Sequence, residues 1–151
     1  SDNAPGWKFA QWEMKGVPLR LEIGPKDLEK NQCVLVRRTD REKLFTPLEG
    51  LETVIPQQLQ AVGKALYARA QENRAARTFS ATTMDEVVDI ATRESGYIKT
   101  MWCGDEACEA MMKEKAGLSS RCMPFEQEHL ADVCPCCGKP AKAMVVWGKA
   151  Y

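Results

Sequence analysis

Cys103-Gly104-Asp105-Glu106-Ala107-Cys108 and, 25 residues further on, Cys134-Pro135-Cys136-Cys137 are two short cysteine pairs of the kind that close on one metal. Each pair can bend its backbone until both sulfurs point inward. Together they supply the four thiolates of a tetrahedral structural zinc site. Four protein ligands leave no open position for a reactive water, so such a site is a scaffold. The intervening stretch, Glu109 to Val133, is long enough to fold a helix and a strand around one ion.

The remaining composition bounds what surrounds that module. The chain has 151 residues, 44% of them apolar, enough for one ordinary domain or two small ones. Basic and acidic residues balance at 21 each, so there is no general attraction to nucleic acid and any such binding needs a local patch. No run approaches a membrane span, and no charged-then-apolar segment opens the chain. These features point to a cytoplasmic protein without a membrane partner. Seven cysteines, an odd number, with two short-spaced pairs favour a cytosolic metal site over disulfides. Cys136 is the spare thiol of the second pair and is expected to point outward, the alternative being that it replaces a neighbouring cysteine as ligand. Cys122 is expected to be a buried hydrophobe. His129, the single histidine, is the weaker ligand candidate, because four thiolates already fill the shell. A thioredoxin-like role for Cys134 and Cys137 needs a helix start, whereas Gly138-Lys139-Pro140 reads as a turn.

Working outward, Ser1 to Gly6 reads as a loop. Val17 to Ile23 alternates like a strand, with Leu19, Leu21 and Ile23 on the apolar face and Arg20 and Glu22 on the other. Gly24-Pro25 ends it, and Asp27 or Asn31 shapes the next turn. Cys33-Val34-Leu35-Val36 suits a strand buried on both faces, followed by a basic hairpin-like connection, Arg37 to Arg41. Pro47 to Gly50 is a break. Pro56 suits a first helical turn; Leu59, Val62, Leu66 and Ala70 then recur at helical spacing, and the helix is expected to reach Phe79. Thr83-Met84-Asp85-Glu86 is a capping box opening a second helix to Glu94, with Gly96 as its C-terminal cap. Tyr97 to Trp102 reads as a strand, Glu106 to Lys115 as a helix closed by Gly117, Cys122 to Phe125 as a short extended piece, and Ala141 to Tyr151 as a final strand.

A second constellation lies near the start: Trp7, Lys8, Phe9, Trp12, Glu13, Lys15, Arg20 and Lys26 interleave aromatics with charges. Basic groups can hold phosphates and aromatics can stack on unpaired bases. The plainer reading of the same residues is a solvated strand face beside buried tryptophans.

Pro5-Gly6-Trp7-Lys8-Phe9, Trp12 to Glu29, Val36-Arg37-Arg38, the two cysteine pairs, Arg121-Cys122-Met123-Pro124-Phe125 and Gly148-Lys149-Ala150-Tyr151 together resemble prolyl-tRNA synthetases of the archaeal and eukaryotic-like type. The resemblance covers essentially the whole chain. It implies an α/β fold: residues 1–78 as the C-terminal portion of a mixed-sheet class II anticodon-binding domain, and residues 79–151 as a small zinc-stapled α/β domain. It implies that Phe9, Glu13, Arg20, Lys26 and Arg38 meet the anticodon of tRNA-Pro, and that Cys103, Cys108, Cys134 and Cys137 hold zinc. The Tyr151 carboxylate would reach toward the active site. The complete enzyme would be a cytoplasmic homodimeric ligase, with no DNA partner, that uses ATP and Mg to join proline to its tRNA. None of the family's catalytic motifs occurs here, so this piece is expected to be inactive alone, and its anticodon domain to lack its first strand and helix and to expose an apolar edge. The competing reading is a stand-alone zinc-ribbon adaptor that binds RNA or protein.

Overall fold

The computed structural model describes residues 4–150, which fall into two compact units, Ser1–Gln71 and Glu72–Tyr151. The expectation for Tyr151, and that for residues 1–3, lies outside the described residues.

Among the described residues Pro5 and Gly6, expected in a loop, are already helical. Pro5 occupies the first turn of α1 (Pro5–Met14), where its missing N–H costs nothing. Three antiparallel strands follow in the order β1 (Leu19–Glu22), β2 (Gln32–Arg37), β3 (Lys43–Pro47), with the short α2 (Pro25–Glu29) between the first two. The continuous apolar run is the central strand: Cys33 to Val36 are all buried. β3 was not assigned to any element by its sequence. Its pairing with β2 comes through the Arg37–Arg41 connection, where the Arg41 N–H donates to the Arg37 carbonyl at 2.9 Å.

The alternation of β1 predicted the wrong covered face. Leu21 and Ile23 are exposed, while Arg20 and Glu22 are half-buried. Directly opposed residues share a sheet face, and Arg20 lies opposite Val36, Glu22 opposite Val34. The polar pair therefore shares a sheet face with two buried valines of β2, and edge strand β1 turns Leu21 outward.

The long helix α3 (Leu51–Ala76) starts five residues before Pro56, which sits inside it. Gly50, at φ +86°, turns the chain, and its carbonyl accepts from the Thr53 and Val54 N–H groups. Of the predicted core positions only Val62 is buried; Leu59, Leu66 and Ala70 are exposed. The helix also stops short of Phe79, because β4 (Thr78–Ser80) leaves it to pair with the strand at Tyr97 to Lys99.

The second unit is a mixed sheet in the order β4, β5 (Tyr97–Trp102), β7 (Ala143–Lys149), β6 (Leu118–Cys122), carrying α4 (Met84–Arg93) and α5 (Glu106–Ala116). Val87, Ile98, Met112, Leu118, Val145 and Trp147 form the centre of its core. The final strand is thus shorter than Ala141–Tyr151. Gly96 does not cap α4, which ends at Glu94 in extended conformation; it lets β5 approach β4. Gly117, at φ +67°, does close α5.

The capping box forms as its sequence requires: the Glu86 N–H donates to Thr83 Oγ1 at 3.3 Å, and the Glu86 carboxylate accepts from the Thr82 and Thr83 N–H groups at 2.7 and 3.2 Å. The Thr82 and Thr83 backbone bonds hold the Glu86 carboxyl below its ordinary value. Thr83→Ala is expected to cost about 1 kcal/mol in a denaturant melt. The Glu86 contribution has the sign of a depressed acid: present above the unfolded value near about 4.3, and lost as pH falls through the lower native value. Melts of Glu86→Gln and the parent should therefore converge in acid.

Candidate metal centre and nucleic-acid interface

Cys103 follows the last residue of β5, and Asp105 caps α5 by accepting from the Ala107 N–H at 3.1 Å, which puts Cys108 in the helix's first turn. Gly104, at φ +88°, makes the corner between them. The second pair sits on a tight hairpin. A bridge joins Val133 to Pro140, the Cys134 N–H donates to the Lys139 carbonyl and the Gly138 N–H to the Cys134 carbonyl, each at 2.9 Å. Gly138 supplies the left-handed turn at φ +70°.

These elements bring the Sγ atoms of Cys103, Cys108, Cys134 and Cys137 within 4.8 Å of one another. Cys103 lies 3.6 Å from both Cys108 and Cys137. A tetrahedron of sulfurs about 2.3 Å from a zinc has edges of about 3.8 Å, so the donor set fits a metal ion. The same separations exceed the roughly 2 Å of a disulfide, and all seven cysteines are free. Cys103, Cys108 and Cys134 are buried while Cys137 is exposed. Burial pushes the Cys103 and Cys108 thiols up. Burial acts the same way on Cys134, but hydrogen bonds from the backbone of Cys136, Cys103 and Cys137 outweigh it and bring that thiol to about 7. A cradle of N–H groups favours anionic sulfur.

Two further thiols are placed differently from expectation. Cys136 does not point outward: it is half-buried, 4.0 Å from the Met84 sulfur, and donates to the Cys108 carbonyl at 3.5 Å. The local pattern hid this, because the partner lies 52 residues away. Cys122 is exposed, not buried, since β6 is an edge strand and Cys122 is its last residue. His129 stays outside the four-sulfur group, exposed and 2.9 Å from Asp132.

In the first unit, α1 places Phe9 and Glu13 four residues apart on one helix face. The Arg20 guanidinium lies 3.8 Å above the centre of the Phe9 ring. Its Nε donates to Glu22 at 2.8 Å and its Nη1 to Glu13 at 3.2 Å. The second Glu13 oxygen accepts from Arg41 at 3.1 Å. Trp7 and Trp12 are half-exposed on the same helix rather than buried beside a strand, and Lys15 lies 4.6 Å over the Trp12 ring.

Phe9, Glu13 and Arg20 are thus brought together. Lys26, on α2, and Arg38, just after β2, are exposed and make no hydrogen bond or ion pair with them among the described residues. Sequence reasoning missed Glu22 and Arg41 as members of the cluster. Glu22 had a signal, its place two residues from Arg20 on one strand face. Arg41 had none locally, being 28 residues from Glu13. Chemically the cluster offers a planar cation, a carboxylate and an aromatic face, the groups that read and stack on the bases of single-stranded RNA.

Residues 84–151 match the family described as prolyl-tRNA synthetase, C-terminal, and residues 1–58 match anticodon binding domains. The chain is 58% identical over all 151 residues to a proline–tRNA ligase of Clostridium novyi and 57% identical to proline–tRNA ligase 2 of Bacillus cereus. In each case it spans 32% of that protein's length. A crystal structure of prolyl-tRNA synthetase from Cryptosporidium parvum, complexed with L-proline and AMP, superposes on the whole chain with a TM-score of 0.91 and 33% identity, again over 32% of its own length. Among the described residues no helix is long and apolar enough to cross a membrane.

Proposed function

Because the chain belongs to the prolyl-tRNA synthetase family, as part of its C-terminal region, we propose that its first unit reads the anticodon of tRNA-Pro and its second is a zinc-stapled module. The reading assigns residues 1–78 to the anticodon domain and 79–151 to the zinc domain. The observation that carries it is the convergence of Phe9, Glu13 and Arg20 on one half-exposed surface. A guanidinium pairs with the acceptor edge of guanine, and a carboxylate accepts from its ring N–H and amino group. Phe9 backs the guanidinium and keeps it planar to an incoming base. Lys26 and Arg38, exposed and outside the ion-pair network, supply charge for the flanking backbone.

Cys103, Cys108, Cys134 and Cys137 would hold the zinc. Bound there, the ion would supply a fourfold crosslink and no reactive chemistry. The protein's own groups orient the site: Asp105 and Gly138 set the two turns, and Cys136 packs behind it. The complete protein would be a cytoplasmic homodimeric ligase that uses ATP and Mg to attach proline to its tRNA. The L-proline and AMP of the Cryptosporidium parvum enzyme suit that reaction. The Tyr151 carboxylate would extend from β7 toward the active site. A stand-alone zinc-ribbon adaptor has no observation in its favour against relatives that match the chain from end to end.

The test is binding of the full chain to anticodon stem-loops carrying the two guanines of a proline anticodon, or adenine in place of either. Arg20→Ala is expected to reduce discrimination at one guanine by about 1–3 kcal/mol. Equal weakening for every loop would make Arg20 a phosphate contact instead.

A further inference from the structure

We propose that Glu22 is a positioning residue for anticodon reading: it holds the Arg20 guanidinium in register while Glu13 turns from Arg20 to the base. The inference rests on the anticodon reading above.

In the free protein Arg20 has three restraints. Glu22 takes Nε at 2.8 Å, Glu13 takes Nη1 at 3.2 Å, and the guanidinium carbon lies over the Phe9 ring, 3.8 Å from its centre. Glu13 is in turn shared, one oxygen to Arg20 and the other to Arg41. The groups offered to guanine are therefore paired with each other before RNA arrives. A guanine that donates to Glu13 and accepts from Arg20 must replace the Glu13–Arg20 contact. Arg20 then keeps only Phe9, which fixes its plane, and Glu22, which fixes its rotation within that plane. Stacking alone leaves a guanidinium free to slide and turn, and bidentate pairing does not tolerate that.

Glu22 is suited to the task by its place as well as its charge. It lies two residues from Arg20 on the same face of β1, opposite Val34 as Arg20 is opposite Val36. Both side chains neighbour buried valines of β2 on that face, with about a quarter of each exposed. Using Nε as the anchor leaves both Nη groups at the fork's outer end for the base. Glu22 itself need not touch the RNA.

The experiment measures binding of the full chain to stem-loops with each anticodon guanine in turn replaced by adenine. Glu22→Ala is expected to reduce guanine discrimination about tenfold, the size of one charge-assisted hydrogen bond. Glu22→Gln, which keeps an acceptor for Nε, should restore most of it. In an Arg20→Lys background, where no Nε fork exists, Glu22→Ala should change nothing further. Overlapping far-UV spectra and melts of parent and variants keep a folding defect apart from a specificity defect. Unchanged discrimination in Glu22→Ala, or equal weakening for every loop, overturns the positioning role and leaves the anticodon reading intact. A parent chain that does not distinguish guanine from adenine, with Arg20→Ala no different, overturns both.

Discussion

In Cys134→Ser the second unit is expected to lose its cooperative fold and its metal, while the first unit keeps its own structure. The four-sulfur site joins the β5–α5 turn to the Val133–Pro140 hairpin, which are otherwise linked there by the exposed Lys139–Asp105 ion pair and by the Cys136 thiol on the Cys108 carbonyl. Its apolar surroundings are the cysteines themselves with Trp102 and Cys136. Binding of a structural zinc contributes about 10–16 kcal/mol in small modules, as large as the whole stability of an ordinary domain. Without the metal, three buried sulfur groups would face one another across the gap. The cysteines should not respond alike. Cys134 is 1% exposed, so a serine there leaves a small polar group without solvent. Cys137 is exposed, and Cys137→Ser lets water take the fourth position, so partial metal retention and a smaller loss are expected. Metal content by X-ray fluorescence, and melts followed by tryptophan emission, check this. Trp102 and Trp147 report the second unit, and Trp7 and Trp12 the first. A metal-free parent, or an unchanged melt in Cys134→Ser, would remove the structural-zinc account.

Gly96→Ala is expected to be the most damaging single-carbon addition in the chain. A Cβ at that position would lie 2.1 Å from the Arg77 carbonyl oxygen and 2.9 Å from its carbon. Both are backbone atoms, so no side-chain rotation relieves the contact. The glycine also sits at φ +152°, which a side chain disfavours. The same Arg77 carbonyl accepts the Tyr97 N–H at 2.8 Å, the first bond of the parallel β4–β5 pairing. Relief of the clash therefore opens that pairing. A loss of about 3 kcal/mol or more is expected from the combined clash and strain, a drop in Tm of roughly 10–20 °C for a unit of this size. Gly63→Ala is the control: nothing lies within 4 Å of its would-be Cβ inside α3, and alanine there should stabilise by about 0.5–1 kcal/mol. A Gly96→Ala melt within a degree of the parent would show that β4 is not held as described.

How far the chain could be read locally depended on where each element's partner lies. The Thr83–Glu86 cap, the Gly117 stop and the two cysteine turns close within a few residues, so composition and spacing carried them. β4 is different. Thr78-Phe79-Ser80 continues a helical pattern and becomes a strand only because Tyr97 to Lys99 offers it a parallel edge. The exposed Leu21 and half-buried Arg20 reverse the alternation of β1 for a related reason. Burial there is decided by Phe9 and the β2 valines, not by the side chain's own polarity.

The candidate sites divide the same way. The identity of four sulfurs able to hold a metal ion was legible because cysteine pairs on tight turns need fixed spacings and the residues are chemically distinctive. The grouping of Phe9, Glu13 and Arg20 came from resemblance, since nothing in the spacing joins a helix to a strand. Only the folded chain shows that Arg20 is held by Glu22 and that Glu13 is shared with Arg41, because ion pairs depend on distances through space that sequence separation does not encode. By itself the sequence determined which chemistry is present: four cysteine sulfurs, a cation, a carboxylate and an aromatic ring. Tertiary structure decided which of those groups meet, which thiols stay out, and that Gly96 serves a strand rather than a helix end. The physical reason is range: caps, turns and chelating pairs are satisfied by neighbours along the chain, whereas burial, strand pairing and charge networks are satisfied by whatever the fold brings near.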